Sequence, residues 1–88
     1  MFGIDVTEAN ALEGRKLHLR FKDGLEAVVN MDDVIERFDG VFAPLIDPEY
    51  FRLVRVDPEL GTIFWPNGAD VCPDVLYSYA SGNPIVGV

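Results

Sequence analysis

The sequence predicts an α+β domain: two layers, with an antiparallel sheet of about five strands and short helices packed on one face. Three observations predict it. Residues 16–22 place Leu17, Leu19 and Phe21 on one side and Lys16, His18, Arg20 and Lys22 on the other, the two-residue period of a half-buried strand. Met31, Val34, Ile35 and Phe38 instead recur at i, i+3, i+4 and i+7, one stripe of a helix. The elements then run strand, hairpin, helix, hairpin, helix, without the repeated strand–helix–strand rhythm that builds a parallel sheet.

The elements follow in order. Phe2 to Ala9 sets Ile4 and Val6 against Asp5 and Thr7 and reads as the first strand, with Asn10 to Gly14 as a loop. In the next hairpin a two-residue loop would mix the faces. A three-residue loop, Lys22-Asp23-Gly24 with Gly24 left-handed, sets Phe21 opposite Leu25, Leu19 opposite Ala27 and Leu17 opposite Val29. It also pairs Arg20 with Glu26 on the wet face. Asn30 is placed to cap the following helix, Asp32 and Asp33 suit its positive end, and Gly40 is placed to end it. Val41 to Ile46 contains Pro44 and predicts an extended or single-turn connector. Asp47-Pro48-Glu49 opens a short helical turn, with Asp47 as cap and Pro48 in first position. The second hairpin runs from Arg52 to Val56, turns at Asp57 to Leu60 and returns through Gly61 to Trp65, with Val54 expected opposite Ile63. Asn67-Gly68 turns the chain, and Pro73 starts a last helix to about Ala80. The apolar tail, Ile85 to Val88, stays unassigned.

Residues 1–88 are long enough for one domain. A hydrophobic share of 49% supplies a core and excludes a disordered chain. The net charge is -8, and no basic residue follows Arg55. That balance repels phosphate backbones, so nucleic-acid binding by this chain alone is not expected, and a basic protein partner suits it better. One cysteine, Cys72, excludes an intramolecular disulfide and a two-cysteine metal site. Asp5 and Glu8 interrupt the N-terminal apolar residues, so no signal peptide is expected; no run is long enough for a membrane span, and the expected location is cytoplasmic.

The stretch from Asp57 to Asp70, Asp-Pro-Glu-Leu-Gly-Thr-Ile-Phe-Trp-Pro-Asn-Gly-Ala-Asp, closed by Pro73-Asp74-Val75-Leu76-Tyr77, resembles the signature of the bacterial family DUF2442. Phe21-Lys22-Asp23-Gly24, Phe42-Ala43-Pro44-Leu45 and Asp47-Pro48-Glu49-Tyr50-Phe51 are similar to it too, so the resemblance spans Lys16 to Tyr77. It implies a small α+β domain without an established activity. Some relatives carry the domain ahead of a helix-turn-helix domain, although none is expected in these residues. Many stand-alone relatives are encoded beside another small protein, in an arrangement like a toxin–antitoxin pair. A molybdopterin-biosynthesis label borne by some finds no support here, since there is no glycine-rich phosphate loop. Cys72 departs from the family, which carries Asp before the helix-opening Pro, and this predicts a weaker cap.

Candidate chemistry is sparse. His18, the sole histidine, falls on the polar strand face opposite Val28, with no partner evident for acid–base work, and reads as a solvated side chain. Cys72 beside a helix start could be a nucleophile, but without a nearby histidine a small buried or capping residue is the better reading. Asp70 and Asp74 could offer a cation two carboxylates; the structural alternative has Asp70 binding amides in the turn and Asp74 favouring the helix start. Trp65, Asn67, Asp70 and Asp74 make the candidate interaction surface, with Trp65 read rather as a core anchor.

No catalytic set, no cofactor and no metal site is therefore expected. The leading expectation is a non-catalytic protein-interaction module, the acidic antitoxin-like or regulatory member of a two-gene pair. The alternative is a small-molecule- or metal-sensing domain centred on residues 65–74. A homodimer is also expected, because the open sheet face and the apolar tail leave surface that the short helices do not cover.

Overall fold

A computed structural model describes residues 4–82. The first hairpin has the register its side-chain alternation requires. Strand β2 (Lys16–Phe21) pairs antiparallel with β3 (Glu26–Asn30), with Leu17 opposite Val29, Leu19 opposite Ala27 and Arg20 opposite Glu26. The three-residue loop closes with Phe21 N–H donating to Leu25 O and Gly24 N–H donating to Phe21 O, and Gly24 has φ 96°. Leu17, Leu19, Phe21, Ala27 and Val29 are all buried on one face.

Strand β1 (Val6–Leu12) adds to the other edge of β2, giving the order β1-β2-β3. It runs three residues beyond the predicted end at Ala9, because Ala9 and Ala11 meet Leu19 and Leu17 on the core side. The expected loop shrinks to Glu13-Gly14-Arg15 between the Leu12–Lys16 pair. Any strand character of Phe2 lies outside the described residues.

The helix predicted from Met31 towards Gly40 is a single turn, α1 (Met31–Val34). Asn30 caps it as expected, its side chain accepting from Asp32 N–H at 2.9 Å. Ile35 closes the turn onto Met31 O and then turns extended, with φ -103° and ψ 107°. Two adjacent β-branched residues, Val34 and Ile35, favour that change. Phe38 lies under a cation: the Arg15 guanidinium is 5.4 Å from its ring centroid and is itself paired with Asp32. The connector after it is a 3-10 helix, Gly40–Ile46, which buries Leu45. α2 (Pro48–Phe51) is capped by Asp47 as its Asp-Pro-Glu start requires.

The second hairpin corrects two expectations. β4 (Arg55–Asp57) and β5 (Thr62–Phe64) pair Val56, not Val54, with Ile63. The loop keeps its four residues but starts one position later, at Pro58, because Asp57 closes it: its side chain accepts from Glu59 and Leu60 N–H, and its carbonyl accepts from Gly61 N–H. A further strand, β6 (Asp70–Val71), pairs with β5 where the sequence reading had only a turn. The sheet order is therefore β4-β5-β6, and the molecule has two three-stranded antiparallel sheets rather than one sheet of five strands.

The sheets meet at Gly61. Val6 N–H donates to Gly61 O at 3.0 Å, a single bond rather than a ladder. Gly61 has φ 69°, and a Cβ there would lie 2.5 Å from Asp5 side-chain atoms, so both the backbone and the seam require glycine. α3 (Pro73–Gly82) packs on β3 and α1 through Leu76 and Ala80, which are fully buried at the i, i+4 spacing. Both sheets and α3 share one core, in which Trp65, Phe21 and Phe51 are the largest wholly buried side chains. The tail Ile85 to Val88, and with it part of the motive for a homodimer, lies outside the described residues.

Candidate functional site

The segment from Trp65 to Asp74 separates into structural and exposed parts. Trp65 is wholly buried; its indole Nε1–H donates to Phe51 O at 3.0 Å, and its ring lies 5.8 Å from that of Phe51. Its side chain therefore offers nothing to a partner. Asn67 is exposed but engaged on both sides: Oδ1 accepts from Ala69 N–H at 3.1 Å, and Nδ2 donates to Val41 O at 2.8 Å. It holds the role expected of Asp70, that of binding an amide in the turn. Asp70 and Asp74 are both exposed, and Asp74 sits in the first turn of α3.

Only Asp70 of these four lines an open groove of about 650 Å³. One wall is the edge of β6 and the start of α3, with Asp70, Val71, Cys72 and Val75. The end of α1 and the chain that leaves it also line the groove, with Val34, Ile35, Glu36, Arg37 and Asp39, as does Phe42 of the 3-10 helix. The groove thus has an apolar lining and charged residues at Glu36, Arg37, Asp39 and Asp70, three carboxylates against one guanidinium. Glu36 and Asp39 were missed by sequence reasoning because it placed that stretch in a helix. They face the groove only because α1 stops after one turn.

Cys72 also lines the groove, and its thiol is exposed rather than buried. It holds the N-cap position of α3: Pro73 is the first helical residue, and the Cys72 carbonyl accepts from Leu76 N–H at 3.3 Å. His18 does not line the groove. It lies on the open face of the first sheet, with Nε2 3.0 Å from Glu26 Oε1. Arg20 reaches the other Glu26 oxygen at 3.0 Å and Glu8 at 3.7 Å. Arg20 first, and His18 second, hold the Glu26 carboxyl below the usual carboxylate range. The predicted register contained this pair: Glu26, opposite Arg20, is the diagonal neighbour of His18.

Among the described residues no group of three or more His, Cys, Asp or Glu side chains is placed to hold a metal ion. No helix among them is long and apolar enough to cross a membrane. A model of the family described as protein of unknown function (DUF2442) matches residues 6–82. The chain belongs to the DUF2442 family. The match begins at the first residue of β1 and ends at the last of α3, so it spans every described element of this DUF2442 domain. Comparison with curated proteins and with solved structures found no match.

Proposed function

We propose that this DUF2442 domain is a non-catalytic protein-interaction module, the acidic, antitoxin-like or regulatory member of a two-gene pair, acting in the cytoplasm on a basic protein partner. The supporting observation is the groove: an apolar lining edged by Glu36, Asp39 and Asp70, on a chain of net charge -8. Like-signed charge around an apolar surface speeds encounter with a basic partner and disfavours acidic ones. The same charge disfavours nucleic acid as a ligand of the domain alone. Co-expression with the product of the neighbouring gene tests the reading. A complex of fixed stoichiometry that weakens with added salt is expected. Two proteins that elute separately at concentrations of about 10 µM would end it.

The alternative, a small-molecule sensor centred on residues 65–74, draws on one observation: the groove beside Asp70 and Cys72 falls within the usual size range of ligand pockets. A thermal-shift screen with metabolites and divalent cations distinguishes it. A saturable stabilisation removed by Asp70→Asn favours sensing; a flat screen beside a formed protein complex favours the interaction module.

A further inference from the structure

The groove follows the edge of a strand. Asp70 stands opposite Phe64 and Val71 opposite Ile63, so their side chains leave β6 on opposite faces, yet both line the groove. A concavity that touches consecutive strand residues from both faces runs along the strand's edge. β6 is the outer strand of its sheet, paired only with β5 among the described residues.

Ladder alternation fixes which backbone groups face that edge. Trp65 N–H donates to Ala69 O, so the Trp65–Ala69 pair is the hydrogen-bonded kind. Phe64–Asp70 is then the non-bonded kind, and the N–H and C=O of Asp70 point away from β5. No described backbone group pairs with them. Among the other lining residues, the backbone of Glu36 and Arg37 is likewise unpaired with any described backbone group. Two stretches of unpaired backbone therefore line an apolar trough bearing three carboxylates.

We propose that the groove binds an extended, basic and apolar segment of the partner protein by strand addition to β6, anchored by backbone hydrogen bonds at Asp70. This deepens the interaction reading and rests on it. Unpaired edge groups supply register and affinity, as at other sheet edges that accept a peptide strand. Alternate side chains of such a segment would point to opposite sides, lysine or arginine to Asp39 and Asp70, and aliphatic residues to Val71, Val75 and Phe42. Pro73 and the two-residue length of β6 limit the added strand to a short one.

The test uses the intact domain and labelled synthetic peptides of about eight residues, enough to cross one strand edge. One alternates lysine with valine; a second has the same sequence with alternate amides N-methylated; a third replaces lysine by glutamate. Binding is read by fluorescence anisotropy and by amide shifts in NMR. The first peptide is expected to bind and to shift the amides of Asp70, Val71 and Glu36 to Asp39. N-methylation in the pairing register should abolish binding, the glutamate peptide should not bind, and Asp39→Asn with Asp70→Asn should weaken the first peptide about tenfold. Equal binding of the N-methylated peptide, shifts confined to another surface, or no binding at about 1 mM peptide would overturn the proposal. A complex with the neighbouring gene product that survives any of those results would leave the interaction reading standing and remove only the strand mode.

Discussion

The turns Phe21–Leu25 and Trp65–Ala69 share one backbone plan in two different sheets. In each the leading aromatic donates its N–H to the closing residue, at 2.8 Å in both. In each the glycine N–H returns to the aromatic's carbonyl, at 2.9 and 3.0 Å, with φ 96° and 93°. In each an Asp or Asn side-chain oxygen takes the closing N–H, Asp23 from Leu25 and Asn67 from Ala69. The difference lies in the spare atom. Asp23 has a second acceptor, Oδ2, which takes the Tyr77 hydroxyl of α3 at 2.5 Å. Asn67 has a donor, Nδ2, which finds the Val41 carbonyl of the 3-10 helix. The choice of Asp or Asn thus leaves the turn alone and decides what the turn is fastened to.

The anchor beside the second turn should give the largest effect. Trp65→Ala removes a wholly buried indole and its bond to Phe51 O, and should cost about 3–5 kcal/mol in urea denaturation. A cost under about 1 kcal/mol would mean that the second sheet adds little to the shared core. Next comes the seam. Gly24→Ala meets open space and carries only the backbone penalty of about 1–2 kcal/mol. Gly61→Ala carries that penalty and the collision with Asp5, so it should lose clearly more. Equal losses at the two glycines would show that the sheets do not depend on the close approach there.

Exchanging the turn residues tests the comparison directly. Asn67→Asp puts a carboxylate against the Val41 carbonyl and should lose about 1–2 kcal/mol. Asp23→Asn keeps an acceptor for Leu25 and should lose less. The reverse order would refute the account of the spare atoms. At the far end of the second turn's strand, Cys72→Asp supplies a side-chain acceptor at the α3 N-cap and should gain about 0.5–1 kcal/mol. A loss there would show that the thiol's groove contacts outweigh the cap.

The smallest effect is a difference in pH response. The Tyr77 hydroxyl first, and the Leu25 N–H second, hold the Asp23 carboxyl below its usual value of 3.8. That folded value is depressed, so its contribution is present above the unfolded pKa and lost as pH falls through the folded one. Tyr77 is shifted the other way, above 10.0, by the same bond. Its contribution is present below pH 10.0 and lost as pH rises through the folded value. The Asn67 turn has no such titration. Denaturation midpoints in acid should therefore fall less steeply for Asp23→Asn than for the parent protein, and an unchanged acid limb would remove the assignment.

The sequence by itself determined what depends on neighbours a few residues apart. The alternation from Lys16 to Lys22 with Asp23-Gly24 set the first hairpin's register, because a one-residue slip would have turned Leu17, Leu19 and Phe21 to water. The Asn30 and Asp47 caps and the family signature were legible for the same local reason. Tertiary structure decided the rest. Ile35 ends α1 by turning extended, and Phe38 settles beneath Arg15, a contact between residues distant in the chain that no helical stripe encodes. Val56 replaced Val54 opposite Ile63 because Asp57 stays in the strand and the four-residue loop starts one position later, held by the Asp57 carbonyl. β6 is two residues long, too short for a periodic signal, and exists through its bonds to β5. The groove arises from both surprises: its walls are the chain freed when α1 stopped and the edge of that unforeseen strand, so Asp70 was legible as a candidate and Glu36 and Asp39 were not. Trp65 was read as a core anchor as well as a surface candidate, and only the packed core decides between the two: Trp65 is buried while its neighbour Phe64, on the other face of β5's end, is half-buried.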